Sequence, residues 1–134
     1  MYNEYSMTHI KHTVLRDLIS RLDGVKMNDD NSFCFMVREV NSQANKEAIE
    51  RDLGDLKKVF KLPSPAKREK IKKFTSSMVI HMAKQCECKI DKTTKYFKID
   101  KEDFLKRNPN NDFPDERDSY ESTSGFYHIF NLNR

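Results

Sequence analysis

The sequence predicts an α+β fold, with about four helices packed on a small antiparallel sheet. Three observations lead there. Apolar residues recur at helical spacing in several segments. Short apolar or aromatic runs flank polar turns at 28–32 and at 91–95. Positions 125–133 alternate with period two, as a strand does. A length of 134 residues suits one domain, which we place at 6–134.

The first helix follows a frayed start, Met1–Tyr5. Ser6 or Thr8 is its cap and Gly24 its stop, with the helix running to about Asp23. Ile10, Val14, Leu15, Leu18, Ile19 and Leu22 make its apolar face. Val25–Met27 and Phe33–Val40 read as strands. Asn28-Asp29-Asp30-Asn31-Ser32 joins them, a run of residues that bond their own backbone. Its acidic pair lacks the EF-hand spacing and the distal Glu, so a plain hairpin turn is expected.

Asn41 or Ser42 starts the second helix, which runs to about Phe60. Ile49, Leu53, Leu56 and Phe60 form its seam. Gly54 inside it costs roughly 1 kcal/mol relative to Ala, which points to a close neighbour or to a weak helix. Leu62-Pro63 ends it, and Ser64-Pro65 restarts a third helix as cap and first residue. Ile71 and Phe74 face inward there. Thr75-Ser76-Ser77 either breaks this helix or carries it onward. In the fourth segment Thr75, Met78, Val79, Met82, Ala83 and Cys86 share one face. Ser76, Ser77, Ile80, His81, Lys84 and Gln85 share the other.

Cys88–Ile90 and Tyr96–Ile99 read as strands around the turn Asp91–Lys95. The order helix, strand, polar turn, strand in Val14–Val37 recurs in Met78–Ile99, as a weak duplication or by chance. Asp100 caps a short helical turn, Lys101–Arg107. Residues 108–123 are polar, carry two prolines and read as a surface loop. In the final strand Phe126, His128, Phe130 and Leu132 fall on one face, and Tyr127, Ile129, Asn131 and Asn133 on the other. The strand is expected to pair with Phe33–Val40 or Tyr96–Ile99 and to lay its phenylalanine face over the helices.

Charge organises the middle of the chain. The net charge is only +4. Yet positions 46–98 hold fifteen Lys and Arg against seven Asp and Glu, a net of +8, while 100–121 carry a net of −4. Helix, turn, helix and basic hairpin is the order of a winged-helix module, and the middle of this chain reads as winged-helix-like. The residues expected to contact nucleic acid are Lys67, Arg68, Lys70, Lys72, Lys73, Ser77, His81, Lys84, Lys89, Lys92 and Lys95. Lysines would neutralise phosphates, and hydroxyls and imidazole would face a groove. DNA is favoured over RNA. A solvated helix face is the bland alternative for such a charge run. His81-Met82-Ala83-Lys84-Gln85, with Lys95-Tyr96-Phe97-Lys98-Ile99 after the turn, resembles in outline the small single-stranded nucleic-acid-binding module named for Arg-x-x-x-His. Its defining arginine would fall at position 77, where this chain has Ser77, so membership is not inferred.

Other chemistries find little support. Three glycines leave no Gly-rich phosphate loop. No nucleophile elbow or zinc-ligand cluster occurs. His9 and His12 share helical spacing without a third ligand. Ser119, His128 and an Asp make a triad only on paper. Cys34, Cys86 and Cys88 are odd in number, and Cys86-x-Cys88 lacks Cys-x-x-Cys spacing, so we expect neither a bridge nor a shared metal. With no signal peptide, a reducing intracellular compartment, cytoplasm or nucleus, is expected. No run approaches a membrane span. We expect a binding protein, not an enzyme, with no metal and no cofactor. A protein-interaction subunit, partnered or homodimeric through its amphipathic helices, is the second reading.

Overall fold

The computed structural model describes residues 4–64, 66–67, 74–93 and 126–132. Among these, four helices pack on a four-stranded antiparallel sheet, so the α+β class holds. The expected strand Tyr96–Ile99, the turn 101–107 and the loop 108–123 lie outside the described residues.

Helix α1 spans Glu4–Ile19. Its inner stripe is Leu15, Leu18 and Ile19, with Leu22 just beyond, all buried. Ile10, expected on that stripe, is 43 % exposed. Residues 20–23 form turns leading to Gly24 at φ +78. A Cβ there would sit 3.0 Å from Glu39 Cβ, so glycine is required twice over.

Strands β1 (Val25–Met27) and β2 (Phe33–Met36) form a hairpin with Val25 opposite Phe35 and Met27 opposite Phe33. The strand expected to run to Val40 stops at Met36. Helix α2, Val37–Val40, replaces its second half. Val37 and Val40 are both buried. A helical turn puts residues three apart on one side, whereas an extended chain would send one outward.

Helix α3 spans Gln43–Val59. Ser42 caps it by accepting from the Asn45 N–H at 3.2 Å. Buried Asn45 then ties α3 to the turn before β1. Its side chain accepts from Asp23 N–H at 2.9 Å and donates to the Asp23 and Val40 carbonyls at 2.8 and 2.9 Å. Gly54 has no atom within 4 Å of where a Cβ would stand, so no close neighbour accounts for it.

Helix α4 spans Phe74–Gln85, strand β3 Ile90–Thr93 and strand β4 Phe126–Ile129. The sheet order is β1-β2-β4-β3. The last strand of the chain is therefore an inner one, paired with β2 (Phe33 opposite Ile129) and with β3 (Ile90 opposite Ile129). The pairing with the Phe33 strand was expected; the partner on the other side was not. Ile90–Thr93 is strand where a turn from Asp91 was expected.

The face of β4 is also the reverse of expectation. Tyr127 and Ile129 pack with Phe33, Phe35 and the helices, while Phe130 is half-buried. Leu132 is buried all the same, because Asn131 at φ +67 turns the chain inward. Arg16 on α1 holds that end, donating to the Leu132 carbonyl at 2.7 Å and to Asn31 Oδ1 at 3.1 Å. Burying a side chain such as Ile129 stabilises the fold by roughly 1.5–3 kcal/mol. No helix among the described residues is long and apolar enough to cross a membrane.

Candidate nucleic-acid interface

Helix α4 carries three of the expected contact residues, Ser77, His81 and Lys84. Thr75, Ser76, Met78, Val79, Met82 and Ala83 are buried against the rest of the fold. Ser76 belongs to this inner set, contrary to the face assigned from spacing. Asn41 explains it: its Oδ1 accepts the Ser76 N–H at 3.0 Å and its Nδ2 donates to Ser76 Oγ at 3.1 Å.

Ser77, His81 and Lys84 lie along the outer stripe, half-buried, exposed and exposed in turn. His81 and Gln85 grip the segment after α3. His81 Nε2 donates to the Lys61 carbonyl at 2.7 Å, which fixes the proton on that nitrogen. The Gln85 amide both accepts the Lys61 N–H at 2.9 Å and donates to the Lys61 carbonyl. Buried Phe60 anchors the same segment from inside. The exposed Lys61 side chain is therefore held beside the stripe, with exposed Lys57 one turn back on α3. Cations at the C-terminal end of α3 also suit its dipole.

Ser64 Oγ accepts the Lys67 N–H at 3.4 Å, and 66–67 are helical, as a cap at Ser64 requires. Lys67 is exposed. Arg68, Lys70, Lys72, Lys73 and Lys95 lie outside the described residues, as does the side chain of Lys92, whose backbone is in β3. Lys89 stands apart from the α4 stripe in its contacts: its Nζ is 5.5 Å from the Phe130 ring centroid, and its carbonyl accepts the Phe130 N–H at 2.9 Å.

Sequence reasoning missed a polar cluster on the other face of the sheet. Ser32 Oγ lies 2.9 Å from His128 Nε2, and Asn28 Nδ2 lies 3.0 Å from Ser32 Oγ. Asp30 accepts from the Ser32 N–H at 3.0 Å and also bonds its hydroxyl. Those two Ser32 bonds push the Asp30 carboxyl below its usual range, and burial pushes the His128 imidazole down. The order is Asp–Ser–His, with the carboxylate on the hydroxyl and not behind the imidazole. Ser32 is also 1 % exposed. The cluster closes the β1–β2 turn against β4 and lacks the geometry of a nucleophilic triad. Ser119, the serine of the paper triad, lies outside the described residues. The self-bonding residues of 28–32 were the one available signal; the 96-residue separation from His128 concealed the rest.

A groove of about 590 Å³ runs between α1 and α3. Val14, Leu56 and Val59 line it, with Asp17, Asp52, Asp55, Arg21 and Lys58 along its edges. Arg21 bridges Asp17 and Asp52 at 3.0 and 2.7 Å, and Lys58 meets Asp55 at 3.3 Å. Among the described residues, no three metal-ligating side chains come together. No family model matches the chain, and no curated protein or solved structure matches it.

Proposed function

We propose that this chain is a non-enzymatic, nucleic-acid-binding accessory protein that contacts the phosphate backbone, of DNA before RNA, inside the cell in cytoplasm or nucleus. The observation that carries the reading is the Lys61 clamp. It brings cations from two separated stretches, Lys57 and Lys61 from one and Lys84 from the other, beside the hydroxyl and imidazole of Ser77 and His81. These lysines are exposed and make no ion pair among the described residues, which is what phosphate neutralisation needs. His81 contributes through the segment it positions, since its Nε2 proton is engaged. Lys67, Arg68, Lys70, Lys72 and Lys73 would extend the same basic surface. Lys89, Lys92 and Lys95 would form a second contact. The winged-helix-like reading belongs to this proposal, with α4 as the groove-facing helix and Asp91–Lys95 as the wing.

Fluorescence anisotropy with duplex DNA, duplex RNA and single strands, across a salt series, is the test. Engaging four to six phosphates gives a log–log slope of about −3 to −5. Replacing Lys61 and Lys84 together by Gln should flatten that slope by about 2. The melting temperature should move little, since exposed substitutions cost under about 0.5 kcal/mol. Absence of binding at low salt refutes the reading. The groove between α1 and α3, with Met7 and Ile10 exposed on α1 at 48 and 43 %, favours the second reading, a protein-interaction subunit. In that case the lysine variant binds its protein partner as the parent does.

A further inference from the structure

Helix α4 ends in a turn that brings two cysteines together. The Cys88 N–H donates to the Ala83 carbonyl and the Glu87 N–H to the Lys84 carbonyl, at 3.1 and 3.0 Å. This is a Schellman closure. Glu87 occupies its left-handed position at φ +60. The distance between the Cα atoms of Cys86 and Cys88 depends only on the backbone angles of Glu87. Left-handed helical angles mirror right-handed ones, and helix geometry then puts those atoms about 5.4 Å apart. An extended Glu87 would have put them at roughly 6.6 Å. Disulfides span about 4.4–6.8 Å between Cα atoms and favour roughly 5.5–6 Å. The turn therefore presets the spacing a bridge requires, which the bare Cys-x-Cys pattern did not reveal.

The side chains agree with the backbone. Cys88 Sγ folds back to 4.0 Å from the Cys86 carbonyl oxygen. None of the three cysteines is in a disulfide, and Cys34 sits separately on β2. Cys88 is 9 % exposed against 1 % for Cys86. The neighbouring Cys86 thiol pushes the Cys88 thiol down, while Cys88 and burial push Cys86 up.

We propose that Cys86 and Cys88 are a reversible dithiol–disulfide pair, oxidised by hydrogen peroxide, that staples the C-terminal turn of α4. The Cys88 thiolate attacks one peroxide oxygen, the O–O bond breaks and hydroxide leaves, giving a sulfenic acid. Cys86 then attacks that sulfur. An S–S bond forms, the S–O bond breaks, and the Cys86 proton leaves with the departing oxygen as water. Two thiols are oxidised, one peroxide is reduced, and two waters form in all. A thiol reductant reverses the bridge by exchange. The assignment stands independently of the nucleic-acid reading.

The test treats the full chain with hydrogen peroxide, quenches it, alkylates it in denaturant and digests it with trypsin. Cleavage after Lys84 and Lys89 puts both cysteines in the peptide Gln85–Lys89. The expected product is that peptide lighter by two hydrogens, unalkylated, and restored by dithiothreitol, while Cys34 remains fully alkylated. Cys86→Ser should leave a sulfenic acid at Cys88 that dimedone traps; Cys88→Ser should leave Cys86 unoxidised. A peptide 85–89 that is still doubly alkylated, a bridge to Cys34, or direct passage to sulfinic acid overturns the proposal. Dimedone trapping at Cys86 in Cys88→Ser, equal to that at Cys88 in Cys86→Ser, overturns the assigned order of attack.

Discussion

Two helix–turn–strand units face one another across this fold and solve the same turn differently. In the first, α1 leads through Gly24 into β1; in the second, α4 leads through Glu87 into β3. Both turns need a residue in the left-handed region, at φ +78 and +60. Gly24 is buried, with Glu39 and the Val40 backbone within 3.0–3.2 Å of a would-be Cβ. Glu87 is exposed. A left-handed non-glycine residue is thus tolerated where its side chain has somewhere to go and is barred where the backbone of a neighbour closes in. Strand β4 lies between the units and pairs with both β2 and β3.

Removing β4 should have the largest effect. Truncation after Thr123 deletes the strand that joins the two halves of the sheet, along with Ile129 and Leu132 from the core. Those two side chains alone contribute roughly 1.5–3 kcal/mol each. The whole net stability of a small domain is about 5–15 kcal/mol. The truncated chain should lose its cooperative melt by circular dichroism. A soluble product with an unchanged transition would show that the units stand without their shared strand.

The glycine turn comes next. Gly24→Ala forces a left-handed alanine, at about 1–2 kcal/mol, and adds the contact with Glu39. Urea denaturation should show a loss of at least that size. A loss below about 0.5 kcal/mol, the ordinary level for a surface substitution, would mean the Glu39 segment moves aside freely.

One hydrogen bond crosses between the units and is set by pH. His12 on α1 is buried, and its Nε2 bonds to the Cys86 carbonyl at the end of α4, at 3.0 Å. A carbonyl only accepts, so Nε2 carries the proton. Nδ1 is buried with no hydrogen-bond partner among the described residues. Burial first of all, helped by His9 and Arg16, holds the imidazole below 6.5, against the opposing Cys86 bond and Glu87. The unfolded chain therefore takes up the proton before the folded chain does. Stability is full above about pH 6.5 and falls as pH drops through the lowered folded value. Urea midpoints at pH 7.5 and 5.5 should differ in that direction, and His12→Gln should reduce the difference. His128, which burial also holds down, contributes to the remaining slope. An unchanged slope in His12→Gln would remove His12 as the pH-sensitive link.

Much of this arrangement was legible in the residues. The spacing of Leu15, Leu18 and Ile19 and of Met78, Val79 and Met82 marked the buried helix faces, and Val25–Met27 matched its strand residue for residue. Local rules failed where partners far along the chain decide. Val37–Val40 reads as a strand by composition, but burial of both valines requires a helical turn. The face of β4 is chosen by pairing with β2 and β3, and Asn131 reverses the chain for Leu132, so alternation alone favoured the wrong side. On α4, helical spacing placed Ser77, His81 and Lys84 on the outer face. It could not show that His81 and Gln85 spend their polar atoms on the Lys61 backbone, because that contact spans 20 and 24 positions.

The smallest effect, and the sharpest for the two turns, is expected at Glu87. Glycine there relieves a left-handed side chain worth about 1–2 kcal/mol. It also gives the unfolded chain more freedom, which costs roughly 0.5–1 kcal/mol. The difference favours the folded state by about 0.5–1 kcal/mol, opposite in sign to Gly24→Ala. The exposed Glu87 side chain makes no ion pair among the described residues that this substitution would sacrifice. The Schellman bonds come from backbone groups and remain, so α4 keeps its end. Loss of the carboxylate also removes a charge that supports protonation of His12, so the imidazole should titrate slightly lower. Thermal melts at pH 7.5 should show Glu87→Gly above the parent chain and Gly24→Ala below it. If Glu87→Gly melts lower, the left-handed turn is not where α4 carries strain, and the two units differ by more than the room each leaves for a side chain.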